Sequence, residues 1–406
     1  MLAANVSQHC YREHLAIEAL PPALEWDIDA LAGHFHAAGN FQSYFINQLV
    51  PWGELAGKPN EGHAAVADFL LTGASPASLT ANFDRLVEQW SERHKMDLRG
   101  ALDGTEATQF SSVASPLLKF HGCMDRGRPD TLWTHGQLVE PRVQQRIESC
   151  RAWMTMNFPG KDLLIVGFWT DWGYLNEVLE NLLETQAPAS VTVIDPQETD
   201  RLEEKAPGLW AILSGIPRFA HVRMSGDEAL SELRSAFSGM WVRKQNRRGA
   251  EIFADENDGE AVDDAHLPCP DVGCLDLYDI RRDAEGVAYD RAARLATPDL
   301  SAGRVAYVRL RLKQAGAVEE GPYLSLNGRL IRVVNCSNMS ISRLRERYNE
   351  APSGRGADLV ICAGATGRGT TENIVRGGGS SSLVGATLGG EVTWATEADG
   401  LAELGL

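Results

Sequence analysis

Basic charge is scarce in this chain. Across 406 residues, 38 lysines and arginines stand against 55 aspartates and glutamates, a formal net charge of −17. A surface of that sign cannot grip a phosphate backbone regardless of sequence, so direct nucleic-acid binding is not expected. The local exception, Arg243-Lys244-Gln245-Asn246-Arg247-Arg248, is expected to be a solvated helix end. No stretch reaches the roughly 20 apolar residues that cross a bilayer, so no membrane span is expected. Met1-Leu2-Ala3-Ala4-Asn5 has no basic segment ahead of an apolar one, and no signal peptide is expected either. The seven cysteines are scattered, odd in number and without any Cys-x-x-Cys pair. That argues against a disulfide framework and points to a reducing cytoplasm. His266, Cys269 and Cys274 are close in sequence, but their spacing fits no standard finger and a fourth ligand is not evident, so no metal is expected.

What the chain does have is ordinary hydrophobic content, 44%, enough for packed cores. Residues 10–50 read as helices, and a further helix runs from about Gly62 to Leu71. Strand candidates follow at Ala77–Thr80, Pro116–Phe120, Leu163–Val166, Val191–Ile194 and Phe219–Met224. Helical stripes separate them: Phe83, Leu86, Val87 and Trp90; Val143, Ile147, Cys150 and Met154; Leu175, Val178, Leu179, Leu182 and Leu183; Leu230, Leu233 and Phe237. Strands alternating with helices imply an α/β fold, a doubly wound, Rossmann-like parallel sheet covered on both faces. This first domain is expected over residues 1–245. An acidic linker or extension is expected over 246–299, with residues 249–264 read as a linker or exposed loop. A smaller C-terminal α/β module is expected over 300–406. In it, Ala306, Val308, Leu310 and Leu312 alternate with Tyr307, Arg309 and Arg311 as a half-buried strand. Asn327-Gly328 signals a hairpin turn, and Leu359–Cys362 reads as the last strand. Residues 364–390 are rich in glycine and serine. Gly364 to Gly369 could cradle a phosphate, although a surface loop is the plainer reading.

In a parallel sheet the carboxyl ends of the strands share one edge, and ligands bind there. Three strand ends carry chemistry. Thr80-Ala81-Asn82-Phe83-Asp84 supplies an amide and a carboxylate. Lys119-Phe120-His121-Gly122 supplies an imidazole that titrates near neutrality. Leu163-Leu164-Ile165-Val166-Gly167 runs into Phe168-Trp169-Thr170-Asp171-Trp172 through a glycine that lets backbone approach a ligand. Val193-Ile194-Asp195-Pro196 ends the next strand. Taken singly, Asn82 and Asp84 also suit a helix start, His121 a loop or core, and Asp171 and Asp195 a turn. Trp169 and Trp172 read as packing residues.

In this order the motifs resemble the SIR2-like (sirtuin-like) family over about residues 10–240. Lys58-Pro59-Asn60-Glu61-Gly62-His63-Ala64 is similar to the segment before the Asn strand in bacterial members. The resemblance implies a Rossmann-like domain that binds NAD, and it implies roles. Asn82 would hold the ribose or the attacking water, Asp84 the nicotinamide carboxamide, and His121 would be the general base. Thr80 and Gly167 through Asp171, with Phe168 and Thr170 between, would line the nucleotide, and Asp195 would sit near the adenosine ribose. Classical members remove acyl groups from lysine and hold zinc on two Cys-x-x-Cys pairs, which this chain lacks. The resemblance therefore implies the bacterial branch that hydrolyses NAD, with NAD as substrate, often in antiphage defence. A nucleotide-binding or scaffold module without turnover is the other class of reading. A protein partner or self-association is compatible with either. One departure is large: no Gly-Ala-Gly-x-Ser type loop precedes Asn82. Either residues upstream of Met1 carry it, or it has been lost and the backbone cradle for a pyrophosphate with it.

Overall fold

The computed structural model describes residues 3–93, 100–109, 115–167, 173–257, 297–320, 323–336, 357–364 and 392–406, with a few isolated positions between. It is a mixed α/β structure with parallel-strand sheets. The chain divides into two compact units, Met1–Glu92 with Met96–Leu233, and Arg93–Lys95 with Arg234–Leu406. Among the described residues no helix is long and apolar enough to cross a membrane.

The first unit opens with helices Ala3–Leu15, Ile28–Ala37 and a π-helical Phe41–Leu49. Their apolar sides meet in a cluster of Leu31, Phe35, Phe45, Ile46, Trp52 and Trp133. Each such fully buried side chain contributes about 2 kcal/mol of transfer free energy. Helix starts are marked where the sequence permits a cap. Asp27 Oδ1 accepts from Ala30 N at 3.0 Å. Asn60 and His63 form a reciprocal capping box at the start of helix Glu61–Leu71.

Two three-stranded sheets follow, each wholly parallel. One has the order β1 (Ser78–Leu79), β3 (Leu117–Leu118), β2 (Gly100–Ala101). The other has the order β4 (Asp162–Val166), β5 (Ser190–Ile194), β6 (Phe219–Val222). Residues of helices Pro141–Asn157, Gly173–Leu183 and Pro207–Ser214 share a core with Leu118, Phe120, Ile165, Val191 and Val193. The expected strands are thus present, the first two and the last shorter than expected, and β2 is an addition. Gly100-Ala101 carries no strand signal; its pairing to β3 makes it one. Phe83 lies outside the helix expected to include it. The helix begins at Leu86, because Asp84 Oδ1 accepts from Leu86 N at 3.0 Å.

The second unit departs further from expectation. Residues 306–312 are not a strand but part of helix Thr297–Gln314. Val305, Ala306, Tyr307, Val308, Leu310 and Leu312 are all buried, so the helix carries no clean apolar stripe and its period is hidden. The helical spacing shows instead in Tyr307, flanked three and four residues away by Arg304 and Arg311, whose guanidinium carbons lie 4.3 and 6.0 Å from its ring. Helix Gly226–Glu256 runs through residues 249–256, expected as linker, and puts Arg243–Arg248 in mid-helix rather than at an end. Gly249 lets helix Thr297–Gln314 pack closely against this one: a Cβ there would lie 2.4 Å from Ala306 Cβ.

The sheet of this unit has the order β11 (Thr393–Thr396), β10 (Leu359–Ala363), β9 (Arg329–Asn335), β8 (Tyr323–Leu326), β7 (Val318–Glu320). The β8–β9 hairpin turns at Asn327 and Gly328, with φ of 52° and 80°, the left-handed pair that an Asn-Gly turn supplies. β9, β10 and β11 are parallel. β10 is not the last strand, since β11 and helix Glu397–Glu403 follow. Residues 365–391, most of the glycine- and serine-rich segment, lie outside the described residues, as do His266, Cys269 and Cys274.

Candidate functional site

β1 and β3 are parallel neighbours, so Asn82 and His121 leave the sheet from the same edge. Thr80 N donates to Leu118 O at 2.8 Å and continues the pairing past the formal strand end. The next residues meet directly: the His121 imidazole bonds the backbone of Ala81. The Phe83 ring stacks on that imidazole with centroids 5.9 Å apart, and Phe83 O accepts from Met124 N at 2.8 Å. Phe83 is itself wedged against Trp133, 4.8 Å away. Asn82 is exposed, and its N–H donates to Thr80 Oγ1 at 3.0 Å.

His121 is 1% exposed. Burial, and secondly the Arg146 guanidinium, push its pKa down to about 3, against the opposing effect of the Ala81 backbone bond. The ring is therefore neutral at physiological pH, the form in which an imidazole accepts a proton. Its burial restricts that role to a substrate that displaces the cover.

Asp84 lies two residues before the helix, outside the first turn where its plainer sequence reading put it, and its Oδ1 accepts from Leu86 N. Its charge also reaches a second imidazole. His63 is held below its ordinary pKa by burial, while the carboxylates of Asp84 and Asp227 act to raise it. Asp227 Oδ1 accepts from Gly62 N at 2.7 Å and so ties the start of helix Gly226–Glu256 to the start of helix Glu61–Leu71. Gly226 lies against the end of β4, where a Cβ would stand 2.4 Å from Val166 Cγ1. Close packing thus links Val166 to Gly226, a hydrogen bond links Asp227 to Gly62, and the charges of Asp227 and Asp84 both reach His63. With the bond between His121 and the Ala81 backbone, these interactions relate the ends of β1, β3 and β4 and the segment 58–64.

Gly167 follows Val166 with φ of 58°, and its N–H donates to Ile194 O at 3.0 Å. Ile194 pairs with Val166, so Asp195 stands beside Gly167 at the same edge. Asp195 is 3% exposed, and its Oδ1 accepts from Gln197 N at 2.9 Å, which realises its turn reading. Phe168, Trp169, Thr170, Asp171 and Trp172 lie outside the described residues.

Three groups at this edge had no role in the sequence reading. Asp227 reads in sequence as an ordinary first-turn acid. Arg146 reads as an exposed helix residue, yet its Nη1 donates to Asp130 O at 2.7 Å and its charge reaches His121. Lys119, given no role beside His121 in the sequence, is buried and pairs with Glu88 at 2.8 Å. Only the spacing of Lys119 and His121, two residues apart on one strand end and so on one face, hinted at its direction. Among the described residues, no group of three or more His, Cys, Asp or Glu side chains could hold a metal ion. No known protein family's sequence model matches the chain, and no curated protein matches it significantly.

Proposed function

We propose that the chain is a SIR2-like NAD⁺ glycohydrolase. In this reading its first unit is a doubly wound, Rossmann-like domain that acts in the bacterial cytoplasm, plausibly as an antiphage-defence effector. The observation that carries the reading is the contact between the Asn82 segment and His121 on adjacent parallel strand ends. The motif resemblance names those two positions independently.

The chemistry follows from the residue types. Cleavage of the nicotinamide–ribose bond sends the bonding electron pair to the departing nicotinamide, which leaves neutral. Positive charge builds on the sugar, as in other glycoside cleavages. Water then adds to the anomeric carbon and gives up a proton, leaving ADP-ribose. The Asn82 amide orients the water or ribose hydroxyl without titrating. Neutral His121 accepts the proton once substrate opens its cover. Asp84 bonds the carboxamide. Thr80, Gly167, Phe168, Thr170 and Asp171 line the nucleotide, and Asp195 lies toward the adenosine ribose. A protein partner or self-association would supply the trigger that keeps such an activity in check.

The burial of His121 favours one second reading, a nucleotide-binding module without turnover. Nicotinamide release from NAD separates the two. The hydrolase reading expects release by the parent protein and its loss in both Asn82→Ala and His121→Ala, with the fold retained by circular dichroism. Parental rates in either variant would remove the assigned roles. Saturable NAD binding with no release would favour the binding module.

A further inference from the structure

We propose that the buried Lys119–Glu88 ion pair is the positioning device of this site, a clamp that holds the Asn82 loop against His121. The role rests on the reading of Asn82 and His121 as the reacting pair.

The side chains of Lys119 and Glu88 are 1% and 6% exposed, and Nζ lies 2.8 Å from Glu88 Oε1. Two charges removed from water cost more than their attraction returns unless other bonds complete their shells, and an apolar pair of like size would commonly serve stability as well. The pair is therefore better explained by geometry than by stability. The geometry is specific, since Nζ also donates to the carbonyl of Asp84. That carbonyl belongs to the loop between Asn82 and the helix that carries Glu88. One ammonium thus gathers the loop, the helix and the strand end two residues before His121. Across the loop, Phe83 O is held by Met124 N at 2.8 Å. Residues 82–84 are pinned from both sides by segments that flank His121.

The neighbouring strand leaves room for the clamp. Gly100 in β2 has no side chain, and a Cβ there would stand 2.9 Å from Lys119 Cδ and 3.0 Å from Glu88 Oε1. Lys119 N–H donates to Ala101 O at 2.7 Å, which fixes the root of the long side chain. Among the described residues, Glu88 Oε2 is buried without a hydrogen-bond partner. The pair thus tolerates an unmet acceptor while keeping its grip on Asp84.

Two variants of the full chain test this. Lys119→Met/Glu88→Leu removes both charges together, and Gly100→Ala pushes on the pair while leaving both in place. Amide hydrogen exchange over residues 80–85 reads the clamp directly, and kcat and KM for nicotinamide release read its consequence. The clamp predicts exchange faster by about tenfold in each variant that folds. It also predicts a kcat lower by about a hundredfold, the scale of an ångström misplacement of a reacting group, with KM within about threefold of the parent. Unchanged exchange in the folded variants overturns the clamp. Faster exchange with parental kcat overturns its positioning role. A parent protein that releases no nicotinamide defeats the reading of the site, while the exchange result still decides whether the pair holds the loop.

Discussion

His121 is the residue on which the account is most exposed to acid. It is held neutral with a pKa pushed down to about 3, first by burial and then by Arg146. In the unfolded chain a histidine titrates near 6.5. The folded value lies below the unfolded one, so the unfolded chain binds the extra proton as pH falls. The stability this group supplies is complete above about pH 6.5 and drains toward pH 3, by roughly 1.4 kcal/mol per unit. Urea midpoints between about pH 7 and pH 5 should fall with pH in the parent and fall less in His121→Phe. Equal slopes in the two proteins would show that His121 is not the buried neutral group. Glu88 offers a second test at this scale. Glu88→Leu leaves the Lys119 ammonium buried without its carboxylate and should cost about 3–5 kcal/mol, whereas Lys119→Met/Glu88→Leu should recover most of that loss. Both are read by chemical denaturation.

Among the elements, two helix starts and a strand end meet with little slack. Gly226→Ala would drive a Cβ to 2.4 Å from Val166 Cγ1, an overpacking expected to cost about 1–3 kcal/mol. Asp227→Asn removes a carboxylate that raises His63, so the His63 titration, followed by NMR, should move further down. A value unchanged from the parent would separate Asp227 from the site. These contacts also show what the sequence could disclose. The strand ends of β1, β3 and β4 were legible because apolar runs stop at Asn82, His121 and Gly167, and chain order alone puts parallel strand ends on one edge. A place for Asp84 near a helix start was legible as one of two readings, though not its position outside the first turn. Lys119 was not, because a lysine carries no mark of burial until its carboxylate partner, 31 residues earlier in the chain, is placed beside it. Helix Thr297–Gln314 misled for a related reason: burial on most sides erases the 3.6-residue period, and the residues left over fell into alternation by chance. β2, Gly100-Ala101, carries no strand signal, and β11, Thr393–Thr396, was not legible either; length is not the reason, since β1, β3 and β6 are equally short.

At the scale of the molecule, the clusters of buried apolar residues respect the division between the units. The cluster with Leu118 and Val191 and that with Phe45 lie in the first, and the cluster with Val308 and Ile361 and that with Val334 lie in the second. Damage to one core should therefore stay local. Gly249→Ala, which crowds the Ala306 backbone, should speed hydrogen exchange in β8–β10 and leave β4–β6 at the parental rate; equal acceleration in both would mean a single cooperative unit. The net charge of −17 belongs to the same scale. In the proposed reading a dinucleotide carrying negative phosphates would approach a like-charged molecule, and its recognition would come from local donors at the strand ends rather than from the overall field. The central claim is that NAD occupies this edge beside His121. It is tested most directly by following the His121 imidazole resonances by NMR while NAD is added to the full chain. A saturable change at His121, absent at the exposed His34, is the predicted result. NAD that leaves His121 unperturbed at concentrations where it binds elsewhere, or that does not bind at all, would contradict the account.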